Sequence, residues 1–315
     1  MATEFLITGG AGFIGSHLVR SLLDEGARVR VLDNFLTGKR ENLADLTGNP
    51  SLVVMEGDVR DFAQVEEAMR GVAYVLHQAA LPSVPRSVAD PVTSMAIGVD
   101  GTLTVLRAAK AAGVKRVVYA SSSSIYGDTP TLPKIESMIP TPLSPYAVSK
   151  LTGEHLCAVF SHLHGLPTVA LRYFNVFGSR QDPASDYAAV VPKFATAALA
   201  GKSALIYGDG GQTRDFTFID NVVRANRLAC EAPEPAWGKA VNIACGLRIS
   251  VNDLAQRIAA ACGHDDLPPR YEDGRPGDVR HSLADISLAG KLLGYKPEID
   301  LEEGLKRTIQ WYRQA

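Results

Sequence analysis

The chain has 315 residues, 46% of them hydrophobic and 21% charged, with 32 Lys and Arg against 34 Asp and Glu for a formal net charge of −2. That profile buries a substantial core in two lobes or one large α/β unit, and it carries no basic block that would attract nucleic acid or an anionic membrane. The run Phe194 to Ala200, among the longest unbroken apolar stretches, is far below the roughly 18 residues of a membrane span. The opening MATEFLITGG has no cationic segment and too short an apolar stretch for a secretory signal. Cys157, Cys230, Cys245 and Cys262 are scattered without metal-ligand spacing, and we read them as reduced, mostly buried thiols of a cytoplasmic protein.

In chain order, short β-branched runs alternate with longer stretches of helical period. The expected strands are Glu4–Thr8, Arg28–Asp33, Leu52–Glu56, Tyr74–Gln78, Arg116–Ser121 and Thr168–Tyr173, several of them apolar throughout as in parallel strands covered on both faces. Between them lie the expected helices Ile14–Glu25, Phe62–Arg70, Pro91–Ala112 and Tyr146–His164. This alternation predicts an α/β fold with a doubly wound, parallel, Rossmann-type sheet whose carboxyl edge binds ligands. After about Asn175 the rhythm breaks, and one more helix (Val222 to Cys230) and strand (Ala240 to Ala244) return to the main sheet. We therefore expect residues 1–175 with about 219–245 to form a dinucleotide-binding domain. About 176–218 and 246–315 then form a smaller α/β substrate-binding lobe.

GGAGFIG, Gly9 to Gly15, directly follows the first strand and opens the first helix. Glycines at Gly9, Gly12 and Gly15 permit a tight turn, backbone approach to a pyrophosphate and close helix packing, while the helix N-terminus offers unpaired N–H groups to phosphate. Asp33 follows Gly15 by about 18 residues at the end of the second strand, where an acid meets the adenosine ribose hydroxyls. A carboxylate there repels a 2′-phosphate and favours NAD over NADP. Lys39 and Arg40 are a small counter-signal, read more simply as solvated. Asp58, after the third strand, has the place to meet the adenine ring or to cap the next helix.

Among ten tyrosines, Tyr146 is the one with a lysine, Lys150, four residues on. Both side chains lie on one helix face. An ammonium beside a phenol favours phenolate, and a positive nicotinamide ring favours it further, which makes a tyrosine usable as a base near neutrality. The serine run at 121–124 ends the fifth strand and is tied down by Ile125-Tyr126-Gly127, so a hydroxyl there can share a proton with a substrate oxygen.

Together GGAGFIG, Asp33, the serine strand end, YAVSK and RYFNVFG resemble the extended short-chain dehydrogenase/reductase superfamily, and within it the NAD-dependent nucleotide-sugar epimerases and dehydratases. The likeness covers essentially the whole chain. It implies that Tyr146 is the catalytic base, that Lys150 modulates its pKa and binds ribose, and that Ser122 is the hydroxyl partner. The NAD site it implies comprises Gly9, Gly12, Phe13, Ile14, Gly15, Asp33, Asn34, Asp58, Val59, Gln78, Ala79, Ala80 and Tyr173 beside Tyr146 and Lys150. For a UDP-sugar it implies Ser83, Ser123, Ser124, Val190 and Lys193. It adds Asn175, Arg214 and Arg275 on the diphosphate, Asp278 on the uridine ribose and Tyr207 against the uracil.

Dehydratases resembling this chain carry Asp-Glu directly after the serine, and UDP-glucuronate decarboxylases a Glu. Ser123 and Ser124 stand there instead, which suits a 4-epimerase. Ser282, where glucose-restricted epimerases tend to have a tyrosine, leaves room for a C2 N-acetyl group. This resembles the UDP-N-acetylglucosamine 4-epimerase branch, as does HQAALPSVPRS with Ser83. The implied reaction is NAD-dependent 4-epimerisation of UDP-GlcNAc/UDP-GalNAc, and of UDP-glucose/UDP-galactose, through a 4-keto sugar. UDP-glucuronate 4-epimerisation, another nucleotide-sugar reaction of the superfamily, or a catalytically silent NAD-binding regulator are the competing readings. The resemblance also implies a homodimer through a four-helix bundle of Pro91–Ala112 and Tyr146–His164, with Leu103, Leu106, Leu151 and Leu156 on the outer face. No metal is expected; His162 and His164 read as solvated.

Overall fold

The structure, a computed structural model, describes residues 2–183, 189–264, 266–274 and 280–314. Each β-branched run of the first 175 residues forms a strand, and each amphipathic stretch a helix. They are β1 (Glu4–Thr8), α1 (Phe13–Asp24), β2 (Arg28–Asp33), β3 (Leu52–Glu56), α2 (Phe62–Ala68), β4 (Tyr74–His77), α3 (Val84–Ala89), α4 (Pro91–Met95), α5 (Thr102–Ala111), β5 (Arg116–Ser122), α6 (Pro145–His164) and β6 (Thr168–Tyr173). Then follow β7 (Val176–Phe177), α7 (Val190–Leu199), β8 (Leu205–Tyr207), β9 (Thr213–Arg214), β10 (Thr217–Phe218), α8 (Ile219–Cys230) and β11 (Lys239–Ile243). The remaining elements are β12 (Ile249–Ser250), α9 (Val251–Cys262), β13 (Arg270–Glu272), α10 (Ser287–Leu293) and α11 (Leu301–Gln314).

Seven strands make one sheet in the order β11-β6-β5-β4-β1-β2-β3, with every neighbouring pair parallel. After β3 the chain crosses back past β1 to enter β4. That reversal of direction opens a crevice at the carboxyl ends of β1 and β4, where ligands of such sheets bind. Side chains alternate across the sheet, and the two faces bury separate cores. Ile7, Val31, Val118 and Leu171 pack on one side against α1 and α8, while Leu6, Leu32, Val117 and Ala170 pack on the other against α2, α5 and α6. β11, reached through α8, is the extra strand that the sequence pattern anticipates near Ala240.

Three features depart from the sequence reading. β3 is not covered on both faces: it is an edge strand, and Val53 and Val54 are exposed. The stretch 91–112 is not one regular helix, because residues Ala96–Gly101 form a π-helical turn between α4 and α5. Ser149 of α6 and Val59 approach so closely there that a Cβ on Gly98 or Gly101 would sit 2.6 or 2.7 Å from them. Finally, Leu106 is fully buried, and Leu103, Leu151 and Leu156 pack partly against the cores. The exposed apolar side chains of these helices are instead Val92, Val148, Val159 and Leu163, with Val88 of α3 nearby in the chain. Cys157 and Cys230 are buried, Cys245 and Cys262 half-buried, and all four are free thiols. Among the described residues no helix is long and apolar enough to cross a membrane, and no group of His, Cys, Asp and Glu is arranged to hold a metal.

The later segments add short ladders. β7 pairs with β10, β9 with β12 and β8 with β13, and α7, α9 and α11 pack against one another beside them.

Candidate active site

The glycine turn after β1 forms because no other residue fits it. Gly9 has φ +70°, and a Cβ there would lie 2.8 Å from the Ala79 nitrogen at the end of β4; a Cβ on Gly15 would lie 2.2 Å from the Gly9 carbonyl oxygen. The first intrahelical bond of α1 is Ser16 N to Gly12 O at 3.0 Å, which leaves the N–H groups of Phe13, Ile14 and Gly15 without helical partners.

One cavity runs along the carboxyl edge from this turn to α6. Of the predicted NAD-site residues, Gly9, Gly12, Phe13, Ile14, Gly15, Asp33, Asn34, Val59, Gln78, Ala79, Ala80, Tyr146, Lys150 and Tyr173 line it. Asp58 does not. Its carboxylate accepts from both Arg60 guanidinium arms and from Asn34 Nδ2, and Arg60 first of all holds its pKa down to about 2. Nor does Asp58 cap a helix; Asp61 caps α2. Asp33 accepts from the Ala11 and Phe35 backbone N–H groups, each at 2.9 Å, while burial raises its pKa. It therefore braces the glycine turn as well as facing the cavity. Lys39 pairs with Asp182, and Arg40 pairs with Glu56 and stacks over Phe35, so both cations of the counter-signal are engaged elsewhere.

The cavity's backbone-lined turn, free helix N-terminus and acid at the second strand fit a dinucleotide: pyrophosphate against Phe13, Ile14 and Gly15, adenosine ribose against Asp33.

At the other end, α6 starts at a Ser144 N-cap followed by Pro145, which aims the first turn at β5. The Ser122 side chain faces the Tyr146 phenol and favours its ionised form. Lys150 is buried, donates from Nζ to the Ala120 carbonyl at 2.6 Å, and lies 5.8 Å from the Tyr146 ring centroid. Burial pulls the Lys150 ammonium down to about 8. The same burial raises Tyr146, opposed by Ser122. Desolvation outweighs the lowering influences of the protein's own groups, so the phenol stands above its ordinary value, while the Lys150 ammonium is held at the Ala120 carbonyl.

Ser123 and Ser124 sit in the turn after β5, where Ser122 Oγ accepts from the Ser124 N–H at 3.2 Å and Ser124 Oγ is buried without a partner. Ser83 caps α3 with φ +96° beside Pro82, which lines the cavity; Ser83 itself does not. A second cavity gathers Asn175, Val190, Lys193, Tyr207 and Arg214. Asn175 donates to the Asp215 carbonyl at 3.1 Å, and Arg214 Nη1 donates to the Thr213 and Arg280 carbonyls. Ser282 lines neither cavity, but its N–H donates to the Thr213 carbonyl at 3.0 Å, next to Arg214. Arg275 and Asp278 lie outside the described residues.

Sequence reasoning missed several residues. Thr37, Gly38, Ile97 and Ala120 also line the first cavity, beside Ser121 of the serine run, and Gln212, Phe216 and Val251 line the second. Gln212 and Phe216 flank Arg214 in one segment, which was a usable signal; Ile97 and Val251 arrive from distant elements and gave none. Asn226 on α8 donates to the Tyr173 hydroxyl at 2.9 Å and fixes that ring. Asp215, buried and pushed up to about 6 by desolvation, accepts the N–H groups of Cys245, Gly246 and Ala284 at 3.1 to 3.2 Å.

A dinucleotide cleft with a tyrosine, a lysine and a serine converging at its end defines an enzyme of the extended short-chain dehydrogenase/reductase class. Residues 5–244 match the NAD dependent epimerase/dehydratase family, and the chain belongs to it; NAD is its cofactor. A UDP-N-acetylglucosamine 4-epimerase from Methanobrevibacter ruminantium M1, solved with UDP-N-acetylmuramic acid, is 41% identical with a TM-score of 0.94 over 99% of both chains. A UDP-glucose 4-epimerase from Mycolicibacterium smegmatis is 38% identical over 316 residues, 98% of each chain. A UDP-glucuronic acid 4-epimerase from Bacillus cereus, solved with UDP-glucuronic acid and NAD, is 33% identical with a TM-score of 0.91 over 99% of both chains.

Proposed function

We propose that this enzyme interconverts UDP-hexoses epimeric at C4, with UDP-GlcNAc/UDP-GalNAc as well as UDP-glucose/UDP-galactose as substrates. The observation that carries the reading is the meeting of Tyr146 and Ser122 at the cavity end with hydroxyls, not carboxylates, at Ser123 and Ser124. Elimination chemistry needs an acid and a base at those places, whereas epimerisation needs only a route for one proton. NAD, when bound, takes a hydride from the sugar C4 and gives it back on the opposite face.

Tyr146 takes the proton of the 4-hydroxyl directly or through Ser122, and later returns it. Lys150 holds positive charge one helical turn away, which supports the phenolate, and the nicotinamide charge supplies the lowering that burial opposes. Asn175, Tyr207 and Arg214, with Arg275 and Asp278, anchor the UDP, so that the pyranose can turn over while the nucleotide stays fixed. Val190 and Lys193 complete the nucleotide wall. Ser83, Ser123 and Ser124 face the sugar, and Ser282 leaves space for the N-acetyl group.

We also assign residues 1–175 with about 219–245 to NAD and the remainder to the nucleotide sugar. A homodimer through the face of α3, α4 and α6 that exposes Val88, Val92 and Val148 fits this reading, and four free thiols suit the cytoplasm.

The test incubates the protein with UDP-GlcNAc, UDP-glucose and UDP-glucuronate separately, without added NAD, beside Tyr146→Phe. Epimerisation of the first two, abolished in Tyr146→Phe with NAD still bound, is expected. Turnover restricted to UDP-glucuronate would replace this reading with that specificity, and near-normal turnover in Tyr146→Phe would remove the assignment.

A further inference from the structure

The reacting side chains of α6 are the first two of a stripe that continues one turn further. Tyr146, Lys150 and Glu154 are spaced four apart on one helix face. Each faces a different residue at the end of β5: Tyr146 the Ser122 side chain, Lys150 the Ala120 carbonyl, to which its Nζ donates, and Glu154 the Ser121 hydroxyl, which donates to its Oε1. Glu154 is buried, and its two oxygens also accept from Arg172 of β6, from Nε at 2.9 Å and from Nη2 at 2.8 Å. Arg172 Nη1 donates to the Tyr126 hydroxyl at 2.7 Å, which donates to Asn242 Oδ1 of β11 at 2.7 Å. Ser121 lines the cavity; Glu154 and Arg172 stand behind it. A buried ion pair contributes little stability over a packed apolar pair of similar volume. Its place against the catalytic strand asks for another role.

We propose that Glu154, gripped by Arg172, is a positioning residue that sets β5 against α6 through Ser121, so that Ser122 meets Tyr146 and the Ala120 carbonyl meets Lys150. The inference rests on the reading of Tyr146, Lys150 and Ser122 given above. Neighbouring positions on one extended strand cannot shift independently, so holding Ser121 fixes the residues on both sides of it.

Charge adds a second consequence. Lys150 is faced by Tyr146, Glu154 and Cys157 from its own helix, by Tyr119 of β5 at 5.0 Å from the ring centroid, and by His77 of β4. Burial pulls its pKa down, and Cys157 and Glu154 oppose that. Removing the Glu154 charge lets the ammonium titrate at lower pH.

The experiment uses the full chain with NAD bound and a UDP-hexose as substrate. Ser121→Ala is expected to lower kcat by about 10- to 100-fold with KM, NAD content and melting temperature nearly unchanged. Glu154→Gln should lower kcat likewise and also move the alkaline limb of the kcat profile to lower pH, a shift that a purely structural role would not produce. Glu154→Gln combined with Arg172→Met restores buried charge balance, and is expected to regain the melting temperature without regaining kcat. If Glu154→Gln does not fold, Ser121→Ala and the double variant decide. Folded variants with wild-type kcat and an unmoved limb overturn the proposal. With Tyr146→Phe as control, its loss of turnover beside an unaffected Ser121→Ala refutes the positioning role alone; its retention of turnover refutes the assignment beneath.

Discussion

Replacing Gly9 by alanine tests the cofactor turn quantitatively, because a second glycine separates the two costs involved. Gly9 and Gly26 have nearly the same backbone, φ +70° and +76°, but a Cβ on Gly26 meets nothing within 4 Å while one on Gly9 would lie 2.8 and 2.9 Å from the nitrogen and Cα of Ala79. Gly26→Ala then carries only the left-handed backbone cost, about 1–2 kcal/mol. Gly9→Ala adds overpacking against backbone, typically about 1–3 kcal/mol more. For a chain of this size each kcal/mol is worth about 2–4 °C, so Gly26→Ala should melt about 2–8 °C lower and Gly9→Ala about 4–20 °C lower. Relief of the clash also pushes Gln78 and Ala79 out of the cavity wall. Gly9→Ala should consequently retain less NAD on purification and gain less melting temperature from added NAD than Gly26→Ala does. Scanning calorimetry with and without NAD, with the bound nucleotide quantified after acid release, reads all of these. Equal melting temperatures and equal NAD content in the two variants would refute the steric argument.

Other outcomes follow from single sites. Ser282→Tyr should depress turnover of UDP-GlcNAc more than that of UDP-glucose, measured as the ratio of kcat/KM values, and equal losses would defeat the pocket argument. Wild-type kcat should decline as pH rises through about 8, because the Lys150 pKa is lowered by burial and its ammonium is lost there; a flat profile to pH 10 would contradict the role given to that charge. Asp215→Asn turns an amide NH2 toward backbone N–H groups now bonded to the carboxylate, and should cost about 1–3 kcal/mol for each group left unpaired, with KM for the nucleotide sugar raised in steady-state assays. If the protein forms the dimer proposed above, Val92→Asp should shift its sedimentation from dimer to monomer, since Val92 is 79% exposed.

The cofactor half of the site was legible because its chemistry is local. The glycine turn, its strand and its helix are contiguous, Asp33 ends the next strand, and Tyr146 and Lys150 share one helix face, so residue spacing alone brings them to one edge of the sheet. Leu106 was misread because helical periodicity gives the stripe of a helix but not how many neighbours compete for it; α5 is enclosed by the sheet, α2 and α6. Asp58 stands outside the first cavity, paired with Arg60 two residues on, because a carboxylate's neighbours decide its use. The π-helical turn at Ala96–Gly101 answers to Ser149 and Val59, which approach from elsewhere in the chain. The second cavity was half legible for the same reason. Beside α7, it is assembled from two- and three-residue strands, too short for any periodic signal, and from α9, which reaches it from far along the chain.

The route of the chain after β6 has a mechanical consequence. It leaves the sheet at β7, comes back through α8 to lay down β11, and leaves again after Ile243, while Asn242 within β11 donates to the carbonyls of Lys134 and Asp285. A lobe stitched to the sheet at successive points along its edge has no single hinge about which to swing. In the reaction proposed above, walls so fastened would leave the half-rotation that exchanges the two faces of the sugar to the sugar itself, on the swivel of its own glycosyl phosphate bonds.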